Sequence, residues 1–164
     1  MRAGRRGVAR CAAAAFAALA LAGCAAPGAG GRATDGDAIE VATEDGRLSR
    51  LARDFYARLE NRRFNSISTF QDPGLHELFR SPEAYQDYYA DLAYDLDVAH
   101  FEASRPTSVV VEGARRESER RVVLEVRFVG ENGLPLRWWK VELVREDVWE
   151  RDDAGRWWIQ PGKV

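Results

Sequence analysis

Hydrophobic and polar positions along the chain change their period once. Between residues 48 and 96, apolar side chains recur every three or four residues, which is typical of amphipathic helices. After about His100 the period becomes two, which predicts β-strands. Helices followed by strands predict an α+β domain over residues 44–164, with the helices packed on an antiparallel sheet. The apolar positions of the first helix are Leu48, Leu51, Phe55 and Leu59.

Residues that start and stop helices divide the helical region into three. Thr43 is the predicted N-cap of the first helix. A shorter second helix, containing Phe64, Ile67 and Phe70, is predicted to close at Asp72-Pro73-Gly74. Ser81 caps the third helix, and Pro82 takes its first helical position. The apolar face of this third helix is Tyr85, Tyr88, Tyr89, Leu92 and Leu96.

Turn residues and alternation together predict the register of the sheet. Val109–Val111 forms one strand core, and Asn132-Gly133 is the strongest short hairpin signal in the chain. This turn sets a register that pairs Phe128 with Arg137, Val126 with Trp139, Leu124 with Val141, and Val122 with Leu143. None of these inward positions is a carboxylate, which argues against a general base on the inner face of the sheet.

The last hairpin conflicts with this register. A turn at Asp152–Gly155 places Trp149 opposite Trp158, and Val148 opposite Ile159. On the strand that leads into this hairpin, the inward positions Trp139, Val141 and Leu143 are odd-numbered, whereas Val148 is even-numbered. Either a bulge near Arg145–Asp147 reverses the face of the strand, or one of the two registers is wrong. With the bulge, two tryptophans lie in the core and three on the outer sheet face, which is too much exposed apolar surface for a monomer. The core pair is Trp139 and Trp157, and the outer set is Trp138, Trp149 and Trp158.

The first 24 residues resemble a bacterial lipoprotein signal. Residues 1–10 hold four arginines and no acid, and the apolar stretch that follows is too short to span a bilayer. Leu21-Ala22-Gly23-Cys24 matches the lipobox of that family. The resemblance implies cleavage of residues 1–23 and a diacylglycerol thioether on Cys24, the alternative being a plain secretory signal cut nearby. Residues 24–43, rich in Ala, Gly, Asp and Thr, are predicted to form a flexible tether.

Charge and cysteine content exclude several function classes. The chain has 24 basic and 26 acidic residues, and loss of the four leader arginines leaves 20 against 26, or −6. No basic footprint for a nucleic acid is therefore expected. The lipoprotein resemblance implies that Cys11 leaves with the leader and that Cys24 is acylated, in which case disulfides, zinc–thiolate sites and cysteine nucleophiles are not expected. His76 and His100 lack metal-ligand spacing, so neither a metal nor another cofactor is expected.

The domain resembles the ketosteroid-isomerase-like superfamily, which includes SnoaL-like and nuclear-transport-factor-2-like domains. The similarity covers about residues 44–160 and rests on three segments: LARDFYARLENRRF with Phe55-Tyr56, FNSISTF, and the closing Gly155–Ile159. It implies a cone-like, cystatin-like fold, in which a strongly bent sheet wraps a long helix and leaves a pocket at its open end. A generic helix-plus-meander fold is the alternative.

Two alternative functions follow from these expectations. The first is a non-enzymatic envelope lipoprotein, to which no catalytic residue is assigned. Its lipid is expected to hold it at the outer membrane if the cell is Gram-negative, because Ala25 rather than Asp follows the cysteine. Its domain binds a hydrophobic ligand, a second copy or an envelope protein, the last two through the outer sheet face. The alternative is a SnoaL-like or isomerase-like enzyme acting on a small apolar molecule. The polar groups of its pocket would be Tyr56, Tyr89, His100 and Arg137.

Overall fold

A computed structural model describes residues 46–162, in which four helices precede a four-stranded antiparallel sheet. The strands follow one another across the sheet in chain order. The predicted α+β class is confirmed; the leader, Cys24, the tether and the Thr43 cap lie outside the described residues. The elements are α1 Gly46–Leu59, α2 Ile67–Phe70, α3 Pro73–His76, α4 Pro82–Val98, β1 Phe101–Ser118, β2 Arg121–Asn132, β3 Val141–Arg151 and β4 Trp157–Gln160.

The Asp72-Pro73-Gly74 tripeptide begins a helix instead of closing one. The Asp72 carboxylate accepts a hydrogen bond from the Gly74 amide at 2.9 Å and so caps α3. The short α2 ends before it, at Phe70, and Ile67 on α2 is 68% exposed instead of buried. The helix α4 begins as predicted, with the Ser81 hydroxyl accepting from the Ala84 amide at 3.2 Å.

The pairing of β2 with β3 differs from the predicted register by six residues. Val122 lies opposite Trp149 instead of Leu143, and Phe128 lies opposite Leu143 instead of Arg137. Residues 133–140 therefore form a long loop in place of a two-residue turn. A shift by an even number of residues leaves the same side chains facing inward, so alternation could not distinguish the two registers.

The parity conflict resolves through a wrong register and needs no bulge. Pairing between β2 and β3 is continuous, without the bulge predicted near residues 145–147. Trp149 lies opposite Ile159, one residue away from the predicted pairing with Trp158. Trp149, Trp157 and Ile159 consequently share the inner face and are all buried. The placement of Trp149 on the outer face is therefore wrong, whereas Trp157 in the core is confirmed.

Aromatic side chains from the helices and the sheet fill the core. The Phe55 ring on α1 makes edge contacts with Tyr88 on α4 at 5.9 Å and with Trp149 on β3 at 6.2 Å between centroids. Each fully buried side chain of this size contributes roughly 1.5–3 kcal/mol relative to its exposed state. The core therefore joins α1, α4 and the inner face of the sheet.

Gly130 allows β2 to pass directly beneath an aromatic ring. A Cβ atom at position 130 would lie 2.4 Å from Cδ1 of Phe101 and 2.9 Å from the backbone oxygen of Arg105. Gly113, also in the sheet, has room for a Cβ, with the Cβ of Glu125 as its nearest neighbour at 3.7 Å.

We expect Gly130→Ala to lower the free energy of unfolding by roughly 1–3 kcal/mol, because the ring and a backbone oxygen would both have to move. Gly113→Ala is the matched control and should change stability by less than about 0.5 kcal/mol. Urea unfolding followed by circular dichroism measures both. Equal losses in the two variants would contradict the close approach at Gly130.

Candidate functional site

The sheet places one carboxylate in the interior of the domain. Asp147 on β3 lies opposite Leu124, faces the helices and is 2% exposed. The hydroxyls of Tyr56 and Tyr88 each donate to its Oδ2 at 2.8 Å, and Nε of Arg145 donates to Oδ1 at 3.0 Å. The expectation that no carboxylate faces inward is therefore wrong. The predicted pairing ended at Leu143 and a bulge was expected near residues 145–147, so Asp147 was not counted among the inward positions, whereas the pairing in fact continues through it without a bulge.

Three elements bring the members of this cluster together. Helix α1 supplies Tyr56, and α4 supplies Tyr88. Arg145, Asp147 and Trp149 alternate along β3 and therefore point to the same face. Nε1 of Trp149 donates to the Tyr56 hydroxyl at 3.2 Å, which extends the network to the indole. We call these five residues the Asp147 cluster.

Burial and neighbouring charge set the ionisation of the cluster. Burial raises the pKa of Tyr56 and of Tyr88 well above the usual value, and the adjacent Asp147 raises both further. The two hydroxyls therefore remain protonated donors at neutral pH. Burial disfavours the charged form of Arg145, but Asp147, Tyr88 and Asp95 together raise its pKa above the ordinary value. Arg145 also donates to Asp95 at 3.1 Å and lies 5.1 Å from the centre of the Tyr88 ring.

The Asp147 cluster holds α1, α4 and β3 together, and its carboxylate is closed to solvent. Both carboxylate oxygens of Asp147 already accept hydrogen bonds, and Tyr56 and Tyr88 are each 2% exposed. A general base must lie within hydrogen-bond reach of the proton that it removes. A substrate would reach Asp147 only after α1 or α4 moved away from β3.

The other predicted pocket residues make separate contacts. Tyr89 is half-buried and donates to the Ser66 carbonyl at 3.2 Å. His100 is exposed between α4 and β1, where its carbonyl accepts from the Gly133 amide at 2.8 Å. Arg137 is exposed in the 133–140 loop instead of facing inward opposite Phe128. Within residues 46–162, no hydrogen bond or ring contact joins Tyr56, Tyr89, His100 and Arg137 to one another.

The predicted tryptophan surface is divided between three places. Trp149 lies in the core, and Trp158 on the outer face of β4 is half-buried, with its Nε1 donating to Asp152 at 2.8 Å. Trp138 is 86% exposed in the 133–140 loop. Trp139, which was expected in the core, is 52% exposed in the same loop.

Ion pairs cover the outer face of the sheet. Arg127 on β2 lies 2.6 Å from Glu112 on β1 and 3.7 Å from Glu142 on β3. Arg121 contacts Glu117 at 2.8 Å and Glu150 at 2.6 Å in the same way. This face is therefore charged and internally paired, unlike the apolar surface expected for self-association.

Exposed apolar side chains are concentrated in the loop of residues 133–140, which we call the β2–β3 loop. The side chain of Leu136 is 89% exposed, and the neighbouring Trp138 and Trp139 add two indoles.

Among residues 46–162, none of the helices has the length and apolar character that a membrane span requires. Within the same residues, no group of three His, Cys, Asp or Glu side chains could hold a metal ion.

Comparison with known proteins adds no relative. No family model matches this chain, and no curated protein or solved structure matches it. Its own residues are therefore what bears on its function.

We expect Asp147→Ala to lower the free energy of unfolding by roughly 3–5 kcal/mol, because it leaves the largely buried Arg145 without its main counterion and the hydroxyls of Tyr56 and Tyr88 without their acceptor. Adding Arg145→Met should restore much of this loss, since it removes the uncompensated charge. Asp153→Ala, which removes an exposed ion-pair partner of Arg120, is the control and should cost less than about 1 kcal/mol. Urea unfolding measures all three, and a double variant no more stable than Asp147→Ala would contradict the charge argument.

Proposed function

We propose that this protein is a membrane-anchored bacterial lipoprotein whose domain binds a ligand or partner in the cell envelope without catalysing a reaction. The lipobox ending at Cys24 supports the anchor, and residues 1–23 would be the signal peptide. If flexible, the 21 residues between Cys24 and Gly46 would have a root-mean-square reach of roughly 25 Å. Residues 24–43 would therefore act as a tether that keeps the domain close to the lipid, at the outer membrane if the cell is Gram-negative.

The exposure of the β2–β3 loop is the observation on which the binding role depends. Leu136 and Trp138 are almost fully exposed, whereas the inward-facing Asp147 is sealed under Tyr56 and Tyr88. Burial of such side chains is what stabilises most domains, and their concentration at one surface point favours an interaction there. The arrangement supports recognition at the surface better than chemistry in the interior.

The finer fold that we propose is a cone-like, cystatin-like member of the ketosteroid-isomerase-like superfamily. The order of helices before a four-stranded meander supports it, as does the packing of α1 and α4 against the inner face. Irregular pairing along β1, which has register shifts near Pro106 and Gly113, is the kind of distortion that bends a sheet.

The position of Asp147 favours one alternative, an isomerase-like or SnoaL-like enzyme acting on a small apolar molecule. The resemblance implies enzymes in which carboxylates project from the sheet into the pocket, and Asp147 projects inward beside Tyr56 and Tyr88. In this alternative the tyrosine hydroxyls would stabilise a developing oxyanion and Asp147 would move a proton. It requires an opening between the helices and β3.

Intact-mass analysis of protein from its native host tests the anchor. We expect a chain that begins at Cys24 and carries the mass of a diacylglyceryl group and a further acyl chain. Cys24→Ser should remain unacylated because it lacks the accepting thiol, whereas the control Cys11→Ser should be acylated normally, since residue 11 leaves with the leader. A wild-type chain without fatty-acid mass would overturn the anchor.

Proton exchange distinguishes the binding role from the enzyme. Cyclohexanone is incubated with the protein in D₂O, and loss of its α-proton signal is followed by NMR. We expect the wild type and Asp147→Asn to leave the exchange at the buffer rate, because Asp147 is sealed from solvent. Accelerated exchange by the wild type that Asp147→Asn abolishes, with the fold of the variant intact by circular dichroism, would replace the binding proposal with the enzyme.

A further inference from the structure

We infer that the β2–β3 loop docks on an anionic bilayer surface and inserts Leu136 and Trp138 among the lipid headgroups. This inference deepens the proposed function by naming the binding partner, and it relies on that proposal only for keeping the domain near a membrane. The two side chains are 89% and 86% exposed, the highest values among the large apolar residues that the structure describes.

The backbone at Leu136 gives an independent reason to assign it a role outside the domain. Residues Leu134 to Arg137 form a turn in which the Arg137 amide donates to the Leu134 carbonyl at 3.3 Å. Pro135 stands at the second position and Leu136 at the third, where φ is +62°. Gly or Asn is the usual residue at a positive φ in such a turn, because a side chain there is strained. Leu136 is thus strained as well as unburied, so the domain's own stability does not account for it.

The charge and ring chemistry of the loop match the interface of an anionic membrane. Arg137 and Lys140 are its charged residues, and no carboxylate stands between Gly133 and Lys140, in a chain with 26 acidic and 24 basic residues. The Arg137 guanidinium lies 5.4 Å from the centre of the Trp139 ring, so cation and indole are presented together. Tryptophan is enriched at the headgroup level of membranes, and cations near an anionic leaflet are attracted to it.

The size of the loop favours a bilayer over a second copy of the chain. Its three exposed apolar side chains together offer at most about 750 Å², which is below the roughly 800 Å² per partner of a stable protein interface. The adjacent outer sheet face is occupied by internal ion pairs such as that of Arg127 with Glu142. A bilayer needs no complementary shape, and the proposed tether of residues 24–43 would raise the effective concentration of the loop at its surface.

The test places a fluorescent label on the loop of the full-length expressed protein, after its reconstitution into vesicles. Leu136→Cys is labelled with a nitrobenzoxadiazole dye. In acylated protein it is the one free thiol, because Cys11 leaves with the leader and Cys24 carries the lipid. Unacylated protein is labelled with Cys11→Ser and Cys24→Ser also present, because these are the two cysteines of the chain. The vesicles contain phosphatidylcholine with or without phosphatidylglycerol, and quenching by brominated acyl chains reports insertion. Ala154→Cys is the matched control, since it is exposed in the turn at the opposite end of β3.

We expect quenching and a blue shift of the label at position 136 and neither change at position 154. Phosphatidylglycerol should favour the inserted form by up to about 30-fold, the effect of two cations at an anionic surface. Removing the charges with Arg137→Gln and Lys140→Gln should abolish this preference. A further variant combines Leu136→Gly with a label at Lys140→Cys, in a domain that has no other cysteine. Leu136→Gly should reduce insertion of this label. It should leave thermal stability unchanged or raise it, because glycine relieves the strain of the positive φ at position 136.

Each remaining outcome separates the loop from the anchor. If intact mass shows acylation but label 136 responds no more than label 154, the loop inference is overturned and the anchor stands. If the mass shows no acyl chain but added protein inserts label 136 into anionic vesicles, the loop inference holds and the anchor fails. A label that responds to protein concentration and not to lipid would assign the loop to a second copy and overturn the inference.

Discussion

The buried carboxylate of Asp147 is the constraint on which the arrangement of the domain depends. It accepts hydrogen bonds from Tyr56 on α1 and Tyr88 on α4, and it pairs with Arg145 on its own strand. A buried charge without such partners is strongly destabilising, so the two long helices and β3 have to meet in one arrangement. A one-residue slip of β3 would move Asp147 to the outer face and leave both tyrosine hydroxyls unpaired.

The same strand connects this interior cluster to the exposed loop. β3 begins at Val141, directly after the β2–β3 loop, and reaches Asp147 on the inner face six residues later. The base of the loop is held at its other side by the hydrogen bond from the Gly133 amide to the His100 carbonyl. The sheet and the residue that follows α4 therefore position the apolar tip, so that the β2–β3 loop presents Leu136 at a defined place.

Sequence patterns predicted the elements better than their pairing. Periodicity found α1, α4 and the inward face of β2, and Ser81 with Pro82 marked the start of α4 correctly. The Asn132-Gly133 signal predicted a tight hairpin, but the chain instead uses a longer loop whose register buries Trp149. Alternation has a period of two, so registers that differ by six residues satisfy it equally. The energy that separates them comes from contacts with the helices.

The cluster shows the same division between local and long-range information. Tyr56 was identified from the resemblance, but its contact with Asp147 was not predicted, because the partners of Asp147 on α1 and α4 are 91 and 59 residues away in the chain. By itself, the sequence determined the helical and strand segments, the acidic balance and the lipobox, because these depend on the order and kind of nearby residues. The tertiary structure alone decided which carboxylate is buried, which tryptophans are exposed and where Leu136 stands. Those outcomes depend on packing between distant segments, which no local pattern records.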